Sequence, residues 1–272
     1  MPTSDNPPNL ILQKIEALGR GTTRWVEGLG FGVTLLYEAV FWVVMGRRQK
    51  QPIRAVPIFS QMMEIGIEAI PIISILSLTI GMMLAIQGID ALEDFGAEHQ
   101  VTIGVALSIT REFAPLITGI LVAGRSGSAL AARLGTMTIN NEVDALRVMG
   151  INPIRFLVVP NLIAMVIMVP ALTLWSDLVG LFGAGLYIIS DLGMTTGVYI
   201  NQTTQYLDAN DVLHGLGKSV AFGALITLVG VVNGSAVTGG AEGVGRVTTQ
   251  SVVHSILAII LADLIIVFLL TR

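Results

Sequence analysis

Five ionisable side chains lie inside otherwise apolar stretches of this 272-residue sequence. They are Arg111, Glu112, Asp177, Lys218 and Asp263. A charge in lipid is costly, so such residues usually face a partner or a water-filled cavity. Neighbours on a helix point about 100° apart, so Arg111 and Glu112 need different partners. Two explanations stay open: an interhelical network, with Arg111–Asp263 or Glu112–Lys218 as candidate pairs, or a direct part in cargo binding or coupling.

The patterns that would indicate an enzyme are incomplete. Gly217-Lys218-Ser219 resembles the end of a phosphate-binding loop, but Val212 stands where that loop needs a glycine. The glycines at 239, 240, 243 and 245 lack the flanking strand and helix of a dinucleotide site. The three histidines are scattered, and cysteine is absent. The sequence predicts no catalytic residue, no metal site and no cofactor bound by this chain.

The composition is typical of an integral membrane protein. Hydrophobic residues make up 53% of the chain and charged residues 12%, and the mean hydropathy is +0.77. A membrane helix needs roughly 20 apolar residues. Runs of this length predict an all-α integral membrane protein whose domain 58–272 has five spans, at about 65–95, 101–126, 156–189, 212–232 and 251–270.

The N-terminal part is predicted to lie on the membrane surface. Residues 1–10 are predicted to be a disordered lead and 11–57 to contain an interfacial amphipathic helix, because the apolar stretch Leu29–Met45 is short and carries Glu38. Residues 1–10 also lack the features of a signal peptide. Lys and Arg concentrate in alternate loops, so the positive-inside rule predicts a cytoplasmic N-terminus and a periplasmic C-terminus.

A short charged helix is predicted at 139–149, between the second and third spans. Glu142 and Asp144 lie in its first turns and Arg147 near its end, as the helix dipole favours, and Gly150 stops it. Its apolar stripe is Ile139, Val143, Leu146 and Met149. The helix is too short to cross a bilayer, so its stripe either rests on the lipid surface or docks a partner.

The sequence resembles the MlaE/YrbE permeases, the membrane subunits of bacterial ABC transporters that move phospholipids. The resemblance rests on EFAPLITGILVAGRSGSALAARLGTMTINNEVDALRVMGINPIRFLVVP, WSDLVGLFGAGL, GLGKSVAFGALITLVG and GGAEGVGRVTTQSVV, and it covers about residues 60–270. It implies a homodimer with five spans per copy, an N-terminal interfacial helix and a cytoplasmic coupling helix. On this chain the coupling helix is 139–149, with ATPase contacts at Glu142, Asp144, Leu146, Arg147 and Met149.

The resemblance also implies partners and a role. The partners are a second copy, an ABC ATPase subunit that binds ATP and Mg, a periplasmic lipid-binding subunit of the MCE type, a small cytoplasmic regulatory subunit and phospholipid. The expected role is to move phospholipids between the inner membrane and the periplasmic carrier, which maintains outer-membrane lipid asymmetry. An ion-coupled secondary transporter and a membrane scaffold are the alternatives, and the direction of transport and the cargo stay open.

A lipid pocket would need an apolar wall. Leu84, Ala91, Leu92 and Phe95 share one helical face near the end of the first span, and Phe113 in the second span could close the wall. Ordinary helix packing would produce the same pattern. The pocket therefore stands as a hypothesis.

Overall fold

The fold is an all-helical bundle. The computed structural model describes residues 28, 30–43 and 55–270, and this part of the chain contains helices and turns but no strand. The predicted lead 1–10 lies outside the described residues, as do 11–27, 29 and 44–54 of the predicted interfacial region.

Within the described residues, five helices are long and apolar enough to cross a membrane, which confirms the predicted number of spans. They are α2 (Ala55–Glu93), α3 (Glu98–Ile139), α5 (Ile154–Asp191), α7 (Ala209–Ser235) and α8 (Gly240–Leu270). Three shorter helices accompany them: α1 (Gly30–Val43), α4 (Glu142–Val148) and α6 (Thr196–Tyr206). Most of the long helices extend beyond the predicted apolar runs, because their polar ends continue the helix into the loops.

Helix α5 forms the centre of the bundle. It is the most buried of the five long helices, with α2 and α7 packed against it, whereas α8 is the least buried. The α2–α5 crossing is close because it is made of small residues: a Cβ built on Gly81 would lie 2.0 Å from the carbonyl oxygen of Gly180. Such contacts are how helices associate in lipid, where no hydrophobic force draws them together.

Helix α1 packs against the bundle. Leu35 and Ala39 are buried, Leu35 beside Leu130 and Val231, and Ala39 beside Val159. The opposite side of α1 is exposed and apolar, as a helix at a membrane surface requires. Its interfacial position stays a prediction.

Candidate functional site

A cluster of charges joins α3, α7 and α8. The side chain of Lys218 is 3% exposed, and its Nζ donates a hydrogen bond of 2.6 Å to the Glu112 carboxylate. The same Nζ lies 3.0 Å from Oδ1 of Asp263, an ion pair without hydrogen-bond geometry. The structure therefore contains the predicted Glu112–Lys218 pair and adds Asp263 to it. We refer to Arg111, Glu112, Asp211, Lys218 and Asp263 as the charge network.

Arg111 has a different partner from the one that the sequence suggested. Its guanidinium binds the carboxylate of Asp211, with Nε 2.7 Å from Oδ1. The suggested Arg111–Asp263 pair is not formed, because Asp263 lies beside Lys218. Arg111 and Glu112 diverge around the α3 axis, so one reaches the start of α7 and the other reaches its middle.

The backbone of α3 is irregular where the network begins. Residues Ile109–Phe113 form a π-helical turn, a feature often found at functional sites. Pro115 follows this turn and has no N–H to donate to the carbonyl of Arg111, four residues earlier. Lys218 supplies the missing donor, with Nζ 3.0 Å from that carbonyl oxygen. The ammonium thus donates to the backbone of α3 and to Glu112, and it forms an ion pair with Asp263.

Asp211 is a site residue that sequence reasoning missed, because it was assigned to a polar loop. It lies in the first turn of α7, where its carboxylate accepts a 2.9 Å hydrogen bond from the Asp208 amide as part of a capping box. The Asp-x-x-Asp spacing at the start of an apolar run was the available signal. Gly215 brings this end of α7 against α3, since a Cβ there would lie 2.3 Å from the carbonyl oxygen of Thr110.

Asp177 does not belong to the charge network. Its residue is 6% exposed on α5, and its Oδ1 has no hydrogen-bond partner among the described residues. The other four predicted intramembrane charges, Arg111, Glu112, Lys218 and Asp263, do come together.

An open groove of about 340 Å³ lies between α2 and the first half of α3. Of the predicted pocket residues, Leu84, Ala91 and Leu92 line it. Phe95 is 81% exposed in the turn after α2, and neither it nor Phe113 contributes to the lining. Phe95 follows the end of α2 at Glu93, and Phe113 is the last residue of the π-helical turn, so their part in a lipid pocket stays a prediction.

The remaining lining of the groove comes from both helices. It consists of Gln87, Gly88, Val101, Gly104, Val105 and Ser108. Ser108 is the residue next to the π-helical turn that carries Arg111 and Glu112. The side chains of Arg111 and Glu112 are 49% and 38% exposed. An apolar channel with fixed charges near one end suits an amphipathic ligand.

The short helix α4 begins later than predicted. Ile139 is the last residue of α3, and Asn141 in the left-handed conformation (φ 58°) separates the two helices. Leu146 is 9% exposed, so it anchors α4 to the rest of the chain and is unavailable to a partner. Val148 and Met149 are instead 89% and 64% exposed.

The charged residues of α4 lie on its surface. Glu142, Asp144 and Arg147 are exposed, and Nη1 of Arg147 lies 3.1 Å from Oδ1 of Asp144. Gly150 ends the helix in the left-handed conformation (φ 74°). This helix presents charges and two apolar side chains, whereas the predicted stripe would have presented Leu146.

The turn between α4 and α5 is tied to α1. Oδ1 of Asn152 accepts hydrogen bonds from the amides of Ile154 (2.9 Å) and Arg155 (3.2 Å), which caps α5. Its Nδ2 donates to the Glu38 carboxylate at 2.8 Å. The Arg155 guanidinium lies 5.6 Å from the Trp42 ring. A movement of this turn would therefore also displace α1.

Metal and nucleotide sites were not expected in this chain. Within the described ranges, no group of three or more His, Asp or Glu side chains is placed to hold a metal ion. Lys218 lies inside the α7 helix and is engaged by carboxylates, not presented by a loop. The absence of cofactors stays a prediction.

Comparison with known proteins places these features in context. The family model for permease MlaE matches residues 58–269. The chain is 33% identical to a probable ABC transporter permease protein of Rickettsia typhi over 97% of this chain and 100% of that one. It is 32% identical to the intermembrane phospholipid transport system permease protein MlaE of Haemophilus influenzae, over 94% and 97%. It is 35% identical to the chloroplast protein Trigalactosyldiacylglycerol 1 of Arabidopsis thaliana, over 75% and 59%.

Proposed function

Since this chain belongs to the MlaE permease family, we propose that it moves phospholipids between the inner membrane and a periplasmic lipid carrier. The name of the Haemophilus influenzae relative supports this cargo. The observation that carries the proposal is the groove between α2 and α3 beside the charge network. Its lining suits an acyl chain, and Arg111 and Glu112 lie near one end, where a headgroup would need polar contacts.

The energy source lies in a partner. ATP and Mg bind a separate ABC ATPase subunit, and α4 is the coupling helix that docks on it. Its contact residues are Glu142, Asp144, Arg147 and Met149. Val148, which the structure shows to be exposed, is added to them. Leu146 supports that surface from below. The N-terminus and α4 lie on the cytoplasmic side, as the distribution of Lys and Arg favours.

The same proposal includes an assembly. Two copies of the chain form the permease, an MCE-type lipid-binding subunit receives or delivers lipid on the periplasmic side, and a small regulatory subunit acts at the ATPase. The exposed apolar residues along α8 leave a broad surface for lipid or a second copy. Transport in this assembly maintains outer-membrane lipid asymmetry.

The mechanism follows from connectivity. Helix α4 lies between α3, which carries Arg111 and Glu112, and α5, the centre of the bundle. When the ATPase closes, α4 is pushed and moves the ends of both helices. Because the charge network ties α3 to α7 and α8, these three helices move together relative to α2, which widens or narrows the groove.

The test is lipid transfer by the reconstituted transporter with a Leu84→Trp variant. The indole fills the groove, so ATP-dependent transfer of labelled phospholipid to the carrier should fall at least tenfold while the ATPase still copurifies. Leu178→Trp is the matched control, because Leu178 is 65% exposed on α5 and does not line the groove. Normal transfer by Leu84→Trp would contradict the cargo site. Transfer that follows an ion gradient without ATP would favour a secondary transporter.

A further inference from the structure

A second, more polar crevice lies among α2, α3 and α5, at the end of the bundle that carries α4. It consists of a cavity of about 130 Å³ and a smaller one of about 30 Å³. The two share the lining residues Gln61, Leu130, Arg133 and Asn161, so they adjoin. Neither shares a lining residue with the groove beside Arg111. The crevice is therefore a separate feature of the fold.

Asn161 is a buried polar side chain without a full set of partners. Its residue is 8% exposed, and one amide N–H donates to the Leu157 carbonyl oxygen at 2.7 Å. The second N–H and the amide oxygen have no partner within the described part of the chain. Asn161 lines both cavities, so its free amide groups are available to donate to and accept from a ligand in the crevice.

The crevice is lined by one positive and one negative side chain. Arg133 lines both cavities and has no ion-pair partner among the described residues. Glu64 lines only the smaller cavity, where its carboxylate accepts a 3.5 Å hydrogen bond from Nε2 of Gln61. The neighbouring Arg125 pairs with the carboxylate of Glu68 and contacts Glu64 only at its backbone carbonyl oxygen, at 3.3 Å. A ligand with a positive and a negative group would match this polarity.

The wider end of the crevice has an apolar rim. Pro57, Met137, Phe156 and Pro160 contribute to its lining, and Phe156 is 44% exposed. The larger cavity has the liquid volume of roughly four water molecules. That is room for a phosphate group, while chains attached to it would lie along the rim in the bilayer.

We propose that this crevice binds the headgroup of a zwitterionic aminophospholipid from the adjacent leaflet. The phosphate lies between the guanidinium of Arg133 and the amide of Asn161, and the ammonium lies at Glu64. A guanidinium binds phosphate by charge-assisted hydrogen bonds, and a carboxylate does the same for an ammonium. The proposal rests on the membrane position of the chain and not on its carrying cargo in the groove.

Native mass spectrometry of the delipidated, detergent-purified chain tests this directly. Titration with phosphatidylethanolamine and, separately, phosphatidylglycerol should show tighter binding of the former. Arg133→Gln should weaken binding of both lipids about tenfold. Glu64→Gln should remove the preference for phosphatidylethanolamine without weakening phosphatidylglycerol. Arg246→Gln is the matched control, since Arg246 is an exposed arginine on α8 and lines neither cavity.

Two results would overturn the proposal. One is unchanged binding of both lipids by Arg133→Gln. The other is binding of inorganic phosphate, without lipid, as tightly as phosphatidylethanolamine, which would show a general anion site.

A second measurement separates this crevice from the groove. A phosphatidylethanolamine with a photoreactive acyl chain should label peptides from 126–137 and 156–165, also in the Leu84→Trp variant whose groove is blocked. Labelling confined to peptides from 84–92 and 101–108 would contradict the crevice and support the groove. Persistent labelling of the crevice peptides with unimpaired lipid transfer by Leu84→Trp would support the crevice and contradict the cargo site.

Discussion

The charge network and the α4 region solve opposite physical problems. In the network, Lys218 is almost fully buried, and each charge has an oppositely charged neighbour on another helix. In α4, Asp144 and Arg147 are both about two-thirds exposed and pair within one turn of the same helix. Buried pairs fix how helices sit, whereas exposed pairs contribute little and leave a surface free. The comparison indicates that one region holds the bundle together and the other meets a partner.

The strongest test of this contrast is Lys218→Met. The change leaves Glu112 and Asp263 facing each other without a cation and removes the donor to the Arg111 carbonyl. Breaking a buried ion pair costs about 3–5 kcal/mol. We expect a much lower thermal unfolding temperature in detergent and a poor yield.

The triple variant Lys218→Met, Glu112→Gln, Asp263→Asn is its control. Removing all three charges removes the repulsion, so most of the lost stability should return. If the single variant unfolded at the wild-type temperature, the network would not hold the helices.

A smaller effect is expected at α4, where two substitutions should separate anchoring from docking. Leu146→Ala removes a buried side chain, which costs about 1.5–3 kcal/mol, so it should lower the unfolding temperature. Val148→Asp should leave that temperature unchanged, because Val148 is 89% exposed, yet it should abolish copurification of the ATPase. Full ATPase binding by Val148→Asp would show that α4 is not the docking surface.

The smallest effect is expected where α1 meets the turn after α4. Glu38→Gln keeps the shape of the side chain but weakens the hydrogen bond with Nδ2 of Asn152, at a cost of about 0.5–1.5 kcal/mol. Stability should change little, whereas stimulation of the ATPase by lipid should fall a few-fold if α1 and the turn move together. The control is Glu242→Gln, an exposed carboxylate at the start of α8. Equal stimulation in both variants would remove α1 from the coupling route.

Much of the fold could be predicted from the sequence, because lipid imposes simple rules. Five apolar runs gave five long helices, and the costly charges of the second, fourth and fifth spans did meet. Which charges pair was harder to predict. The 3.6-residue period fails across the π-helical turn Ile109–Phe113, and Asp211 stands outside the apolar run.

The errors at α4 have a local cause. Periodicity identified an apolar stripe, but it could not show which side of the helix faces the bundle. The left-handed Asn141 turns α4 so that Leu146 faces inward and Val148 outward. The sequence alone does not reveal this turn. It therefore favoured Leu146, which anchors α4, as a residue that contacts a partner.

The hydrogen bond from Lys218 to the carbonyl of Arg111 has a consequence for motion. Helix α3 depends on a donor from its neighbour to complete its own backbone, because Pro115 cannot provide one. Sliding or rotation of α3 against α7 would break this hydrogen bond together with the Glu112–Lys218 ion pair, and polar groups that lose their partners are costly in a membrane interior. The two helices therefore keep their relative position throughout transport. The motion that transport requires has to occur between other helices of the molecule.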